Sequence, residues 1–288
     1  MTVMEFPLVV GVDGSEPSLR AVDWAADEAA RRGVPLRVVY ATLWERYEGA
    51  AHGHGTGRAR LRGEDVTDAA VRRAEARQPD LKVTAEVVPE EPEYVLVHEA
   101  RQACAVVVGT RGHGGFAGAL LGSVSVTVAA HAHCPVIVVR GGAQARTGAG
   151  IVVGVGDGAE TAATVRYAVE AARVRKAPVE AVRAWRRPAR EAGPPLLAGG
   201  PPDLSYGEQA ARTLDEALRD VPADVELLRR IVEGHARRAL VDASQDAALV
   251  VVGARRRGGR FGLQLGRVAH AVLHHAACPV VVVPQRVA

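Results

Sequence analysis

The sequence predicts an α/β protein made of two tandem domains, each with an open, parallel, five-stranded sheet and helices on both of its faces. Three observations favour this class. Short apolar runs alternate with longer helical patterns, an order that requires right-handed crossovers and parallel strands. The same order occurs twice along the 288 residues. Glycine-rich segments follow several apolar runs, as is typical of loops beyond buried strands.

The internal repeat fixes the domain organisation. Val10-Gly11-Val12 matches Val153-Gly154-Val155 at an offset of 143 residues, and later positions match at 144. The flexible segment RGGAQARTGAG, Arg140 to Gly150, joins the two copies. We therefore expect one domain over residues 1–141 and a second over residues 150–288. The later matches pair Gly109, Gly122, Cys134 and Pro135 with Gly253, Gly266, Cys278 and Pro279.

Each element of the first half has its own local signal. The apolar run Leu8 to Val12 predicts the first strand. Ser15 is a candidate N-cap for the alanine-rich helix of residues 19–32, Pro17 follows it closely, and Gly33 ends the helix. The remaining elements are predicted in chain order as strand 36–41, loop 44–63, helix 64–77, strand 82–88, helix 92–101, strand 105–108, helix 123–131 and strand 136–139. The second half repeats this order, with a Pro/Gly-rich loop over residues 186–206.

Composition excludes several classes of protein. A hydrophobic fraction of 48% indicates a globular chain, and no apolar run approaches a membrane span. We see no signal peptide, and three cysteines suggest a reducing, cytoplasmic location. Acidic residues are interleaved with the basic ones throughout the chain and only 4% of residues are aromatic, which argues against a nucleic-acid partner. Lys82 and Lys176 are the only lysines, and neither follows a glycine as a P-loop requires.

The candidate chemistry lies in the stretch from Ala105 to Val126, with the spacing Gly109-x2-Gly112-x9-Gly122-Ser123. Glycines allow backbone N–H groups to approach phosphate oxygens closely. A helix that begins at Gly122-Ser123 would add its positive dipole end and a hydroxyl, which together form a natural anion site. The alternative is structural, with the glycines as turn residues and Ser123 as a plain N-cap.

Other strand ends fall at the same edge of the predicted sheet, where open parallel sheets bind ligands. Asp13 follows the first strand and offers a carboxylate to an adenine amine or a ribose hydroxyl. The backbone of Ala41, at the end of the second strand, is placed to contact an adenine edge. Arg111 or His113 would add charge to a polyphosphate contact. Asp13 is equally well explained as the first residue of an Asx turn.

Together with VGVDGS at Val10 to Ser15 and CPVIVV at Cys134 to Val139, the glycine spacing resembles the universal stress protein family, in its ATP-binding branch. The resemblance covers almost the whole chain as two tandem copies. It implies a Rossmann-like fold of the adenine nucleotide alpha hydrolase type, with strand order 3-2-1-4-5. It also implies ATP as the ligand, with Mg²⁺ left open as its companion. By this resemblance the adenosine is held by Asp13 and the main chain near Val12 and Ala41, and the phosphates by Gly109, Gly112, Gly122, Ser123, Val124 and Ser125.

The second copy departs from this pattern at three positions. Arg256 stands where the first copy has Gly112, and Arg267 stands where it has Ser123. Gly156 occupies the place of Asp13, with Asp157 one residue later. The two arginines either act as phosphate donors themselves or fill an empty site with their own charge. We expect a weak or absent second site.

Other polar clusters are better explained without function. The segments HAHC (residues 131–134) and HHAAC (residues 274–278) lie where a helix runs into a strand, so their side chains diverge and we predict no metal site. His52 and His54 belong to a glycine-rich loop. The three cysteines adjoin buried strands, which disfavours a nucleophilic role. The run of three arginines at residues 255–257 is too short to form a nucleic-acid groove.

The expected partners follow from the edge strands and from the ligand site. The apolar segments Val136–Val139 and Val280–Val283 are predicted to pair with each other, and a homodimer is plausible without being required. The leading hypothesis is an ATP-binding stress sensor or regulator that acts through an unidentified protein partner and is not an enzyme. The alternatives are a slow ATPase or a phosphoryl or nucleotidyl transferase using the same pocket, and a nucleotide-free interaction protein.

Overall fold

A computed structural model describes residues 6–42, 56–110, 121–140, 149–157, 161–187, 202–254 and 265–284. These residues fall into two compact units. The first unit contains the described residues up to 140, the C-terminal residues 279–284, and Ala254 and Leu265. The second contains residues 149–253 and 266–278. These units are defined by spatial contacts and not by the sequence repeat. The domain boundaries expected from the repeat, 1–141 and 150–288, therefore stay a prediction.

The first unit alternates strands and helices along its whole length. Its elements are β1 (Leu8–Val12), α1 (Glu16–Arg32), β2 (Leu36–Ala41), α2 (Thr56–Arg77), β3 (Val83–Val88), α3 (Pro92–Glu99), β4 (Ala105–Gly109), α4 (Ser123–His131) and β5 (Val136–Val139). The second unit repeats the pattern with β6 (Ile151–Gly154), α5 (Thr161–Arg175), β7 (Val179–Trp185), α6 (Pro202–Ala217), β8 (Leu227–Glu233), α7 (Ala236–Ala243), β9 (Leu249–Ala254) and α8 (Arg267–His275). The last strand is β10 (Val280–Pro284).

In the first unit, strands β1 to β5 have the order β3-β2-β1-β4-β5 and are all parallel. This confirms the α/β class and the order 3-2-1-4-5. In the second unit the order is β9-β6-β7-β8, again parallel. Strand β10 pairs antiparallel with β5, with Val281 opposite Ile137, which confirms the pairing expected for these two segments.

Parallel strands covered on both faces require continuous apolar runs, and β1 meets that requirement. Leu8, Val9 and Val10 are fully buried. The covering helices approach the strands closely at a glycine. A Cβ on Gly11 would lie 2.9 Å from Leu96 of α3, and one on Gly154 would lie 3.0 Å from Leu240 of α7. The two units therefore use the same glycine–leucine contact at matching positions of the repeat.

The N-cap and the C-terminal end of α1 agree with the sequence, although α1 begins at Glu16 rather than at residue 19, and the start of α2 differs. Ser15 is the N-cap of α1 and accepts the N–H of Ser18, and Gly33 ends the helix with a φ of 68°. The expected start of the second helix at residue 64 is wrong, since α2 begins at Thr56. Gly63 suggested a loop, but in the structure it lies inside the helix. A Cβ on it would lie 2.9 Å from the Tyr40 ring, so a close tertiary contact explains the glycine.

Two bidentate ion pairs join α1 to α2. Nε and Nη2 of Arg73 each donate to a carboxylate oxygen of Asp23 at 2.6 Å. The same two atoms of Arg77 donate to Asp27 at 2.8 and 2.7 Å. Partial burial tends to raise the pKa of Asp27, but hydrogen bonds from Arg77 and Gln78 outweigh burial and hold the pKa below its ordinary value of 3.8. The carboxylate is thus more acidic in the folded chain than in the unfolded one.

Acid is therefore expected to weaken the ion pair between Asp27 and Arg77. Because the folded-state pKa of Asp27 is depressed, its contribution to stability is present above pH 3.8 and is lost as the pH falls through the folded-state value. Arg77→Met should lower the free energy of unfolding near neutral pH by up to about 1 kcal/mol, and by less in acid. Urea unfolding at both pH values measures this.

The matched control is Arg173→Met in the second unit. Arg173 makes the same bidentate pair with Asp224, at 3.0 and 2.7 Å, but both side chains are largely exposed. Solvent screening should make its effect smaller than that of Arg77→Met. Equal effects at the two positions would contradict the role given to partial burial at Asp27.

No helix among the described residues is long and apolar enough to cross a membrane.

Candidate functional site

Three chain segments of the first unit meet at the carboxyl edge of its sheet. Strands β1 and β4 are direct neighbours, so the residues that follow them lie at the same edge. The segment after β1 turns into α1, and the segment after β4 leads towards α4. Strand β2 pairs with β1 on the other side and ends at Ala41, which is half-buried. The expected residues after β1, β2 and β4 are thus assembled along one edge by the strand order.

Asp13 shapes the turn between β1 and α1. Its Oδ1 atom accepts the backbone N–H of Ser15 at 3.0 Å and the Ser15 hydroxyl at 2.6 Å. This is the Asx turn that the sequence left open as the structural alternative. Ser15 in turn caps α1. Asp13 is half-buried, so its structural role still leaves the side chain accessible at the edge of the sheet.

Two hydrogen bonds fix the end of β4 against the start of α4. The N–H of Gly122 donates to the carbonyl of Thr110 at 2.7 Å, which ties together the two ends of the intervening segment. The hydroxyl of Ser125, a buried residue, donates to the carbonyl of Gly109 at 2.7 Å. The hydroxyl of Ser125 therefore anchors the helix to the strand, and what Ser125 still offers a ligand is its backbone N–H.

Gly109 has a packing role that the sequence did not reveal. A Cβ at this position would lie 2.7 Å from the carbonyl oxygen of Pro17 and 3.1 Å from the nitrogen of Ser18, in the first turn of α1. Both atoms belong to the backbone and cannot rotate away. Glycine is required here because a helix backbone passes directly over the end of β4.

The N-terminus of α4 has a glycine as its N-cap. Gly122 has φ −76° and ψ 154° and carries no side chain that could cap the helix. Ser123 is the first helical residue, so the structural alternative of a plain N-cap at Ser123 does not hold. Its exposed hydroxyl instead lies 3.4 Å from Oε1 of Glu93 in α3. Among the described residues, none accepts the N–H groups of Ser123, Val124 and Ser125. They are therefore available to an anion at the positive end of the helix dipole.

Of the remaining expected residues, the structure describes some and not others. The main chain of Val12 ends β1 at the same edge, opposite Tyr40 of β2. Arg111 and Gly112 lie outside the described residues, as does Arg256 in the second copy. The glycine loop is thus represented by its two ends, at Gly109 and at Gly122.

The corresponding edge of the second unit is built differently. Arg183 of β7 stands at the repeat position of Tyr40. Its guanidinium donates to the carbonyl of Val155 at 3.2 Å and forms an ion pair with Asp157. Val155 matches Val12, whose main chain is expected to hold adenosine in the first unit. In the second unit that carbonyl is already engaged by an arginine.

The start of α8 has also lost the anchor seen in the first unit. Ala269 stands at the position of Ser125, so the hydroxyl bond to the end of the fourth strand has no counterpart. The N-cap is again a glycine, Gly266, and the first helical residue is the exposed Arg267. An arginine at a helix N-terminus is unfavourable for the dipole, in contrast to Ser123.

Three residues that shape these sites were missed from the sequence: Glu93, which reaches Ser123; Thr110, which closes the loop; and Arg183. Arg183 could have been predicted, because the repeat offset of 143 aligns it in sequence with Tyr40. The bonds of Glu93 and Thr110 join elements distant in sequence and leave no local pattern.

Two of the cysteines have the properties of buried structural residues. Burial raises the pKa of the Cys134 thiol to about 12, and burial also raises the pKa of Cys104, so both are poor nucleophiles at neutral pH. Within the described ranges, no group of three or more His, Cys, Asp or Glu side chains could hold a metal ion.

Comparison with known proteins gives a consistent assignment. The family model described as "Universal stress protein family" matches residues 6–140 and 150–284. The universal stress protein Rv2623 of Mycobacterium tuberculosis is 31% identical over 284 residues, which covers 96% of this chain and 95% of the relative. Rv2005c of the same organism is 33% identical over 304 residues, covering 96% and 97%. The crystal structure of a universal stress protein from Archaeoglobus fulgidus shares the fold, with a TM-score of 0.75 at 16% identity, covering 98% of this chain and 100% of that one.

Proposed function

Because the chain belongs to the universal stress protein family in both of its halves, we propose that it binds ATP at the carboxyl edge of the first unit and acts as a regulator through a protein partner. The observation that carries this proposal is the N-terminus of α4, whose N-cap is Gly122. Among the described residues nothing accepts the first three N–H groups of this helix, and the adjacent loop end is fixed by Thr110 and Ser125. Such a terminus suits a phosphate group.

The residues at this edge fit an adenine nucleotide in their chemistry. In this proposal the phosphates are bound by the backbone N–H groups of Ser123, Val124 and Ser125, with Arg111 and Gly112 completing the loop. The adenosine is bound by Asp13 and by the main chain near Val12 and Ala41. Mg²⁺ would accompany the phosphates through water rather than through a dedicated carboxylate cage. The protein is proposed to bind the nucleotide and not to turn it over.

The proposal confines binding to the first unit. In the second unit Arg183 occupies the carbonyl of Val155, Gly156 replaces Asp13, and Arg267 replaces Ser123. A carboxylate that could contact the ligand, Asp157, is instead paired with Arg183. These differences favour a carboxyl edge of the second unit that is occupied by arginine side chains, rather than a second nucleotide site.

A test of the proposal begins with the nucleotide that the purified protein carries. The chain is denatured and the released small molecules are separated by chromatography; ATP or ADP is expected, and added ATP should bind the emptied protein. Asp13→Asn keeps an oxygen acceptor for the Ser15 turn but removes the charge, so it should reduce affinity without unfolding the protein. Asp157→Asn in the second unit is the control and should leave affinity unchanged.

Each alternative function predicts a different result in the same preparation. Steady formation of ADP that Asp13→Asn abolishes would identify an enzyme. No nucleotide released and no binding of added ATP would identify a nucleotide-free interaction protein, and our proposal would be wrong.

A further inference from the structure

Two histidines of α8 lie side by side on the surface of the second unit. The ring centroids of His270 and His274 are 4.3 Å apart, and the ring planes differ by 28°. The residues are four positions apart, so both project from one face of the helix. His270 is exposed and His274 is half-buried, with its Nε2 atom shielded from solvent, so an ion would approach the pair from the side of His270.

The fold itself does not require this pair. In the first unit, the matching positions of α4 hold Val126 and Ala130, on a helix of the same length between the same two strands of the repeat. His275, by contrast, has an equivalent in His131. The paired imidazoles are therefore an addition to the second copy and not part of the shared scaffold.

The geometry points to a site for a late first-row transition-metal dication, of the class of Cu²⁺, Ni²⁺ and Zn²⁺, held by the imidazoles of His270 and His274. Two histidines at i and i+4 of one helix are the arrangement by which helices present metal ligands. A tetrahedral ion with Zn–N bonds of about 2.0–2.1 Å holds its two nitrogens roughly 3.3 Å apart. Rings 4.3 Å apart reach that spacing by rotation about their soft terminal torsions.

The surroundings predict an open site of moderate affinity. No third His, Cys, Asp or Glu of the described chain joins the pair into a larger group, so water would complete the coordination. Imidazole nitrogens select the softer divalent ions, and Cu²⁺ binds most tightly among them. A single helix turn closes the chelate, so binding should stabilise α8 and raise the melting temperature of the protein.

The experiment is a Cu²⁺ titration of the tag-free full chain, followed by calorimetry and by electron paramagnetic resonance. Because His52 and His54 form another histidine pair in the sequence, all samples carry His52→Ala and His54→Ala. One bound Cu²⁺ with a two-imidazole signature is expected. His270→Val and His274→Ala install the residues of the first unit, and each should weaken binding by about tenfold or more, since even the loss of an outer-shell partner costs that much.

His275→Ala is the matched control on the same helix, and His131→Ala is its counterpart in the first unit; neither should change the affinity. Circular dichroism in the presence of a chelator checks that every variant is folded. The proposal is overturned by Cu²⁺ affinity that is equal in His270→Val, His274→Ala and the parent, or by a parent that binds no Cu²⁺. Neither result would affect the nucleotide site, since α4 and α8 belong to different units.

Discussion

Replacing Gly122 with aspartate is expected to weaken ATP binding about a hundredfold or more. The side chain of an N-cap residue normally lies over the N–H groups of the second and third helical residues, which are Val124 and Ser125 in α4. Glycine leaves those groups open, whereas aspartate would bond to them and repel a phosphate. Two lost hydrogen bonds to a charged group are worth about 3 to 6 kcal/mol, and each 1.4 kcal/mol is a factor of ten in affinity.

The same substitution should not harm the fold. The φ and ψ of Gly122, −76° and 154°, lie in the extended region that any residue adopts. Aspartate is also a preferred N-cap, so the melting temperature of Gly122→Asp should stay equal or rise slightly. Gly122→Val should block binding as well, by covering the N–H groups with an apolar group. Calorimetric titration of ATP, together with a thermal melt of each variant, separates binding from folding.

Gly266→Asp provides the matched control, because Gly266 is the N-cap of α8 at the same position of the repeat. It should leave ATP affinity unchanged. Unchanged affinity in Gly122→Asp, in a folded protein, would show that α4 does not bind the phosphates.

The second large effect is expected from Gly109→Ala, which should destabilise the first unit by about 2 to 3 kcal/mol. The new Cβ would lie 2.7 Å from the carbonyl oxygen of Pro17 and 2.8 Å from its carbonyl carbon. Relief requires α1 to move away from β4. That shift would also disturb the Ser125 bond to the Gly109 carbonyl, so ATP affinity should fall together with stability.

Gly11→Ala is the comparison that tests this explanation. Its Cβ would lie 2.9 Å from Leu96, but the contacted atom is the tip of a flexible side chain. We expect a cost below about 1.5 kcal/mol, because Leu96 can change its rotamer. Urea unfolding measures both variants. Equal destabilisation by Gly109→Ala and Gly11→Ala would contradict the role assigned to the Pro17 backbone.

Local signals explain how much of the fold the sequence could predict. The N-cap at Ser15 and the helix end at Gly33 depend on residues within one turn, and both were predicted correctly. The strand order of the first unit followed from the family resemblance, and the strand–helix alternation followed from periodicity. These features are encoded in neighbouring residues or in the repeat itself.

Features that depend on distant contacts could not be predicted. Gly63 suggested a loop, because its contact with Tyr40 is visible only once α2 packs on β2. Gly109 suggested only a phosphate loop, although it also meets Pro17, a residue of α1 remote in sequence. In the candidate site, glycine therefore has two explanations that the sequence alone cannot separate, and the contact distances identify packing as one of them.

The central claim is that one half of the chain is a nucleotide site and the other half, with the same fold, is not. Isothermal titration of ATP into the nucleotide-free full chain tests it most directly, because stoichiometry is measured separately from affinity. We predict a single ATP per chain, lost in Gly122→Asp and retained in Gly266→Asp. Two ATP molecules per chain, or a single one that is lost only in Gly266→Asp, would contradict the asymmetry between the two units.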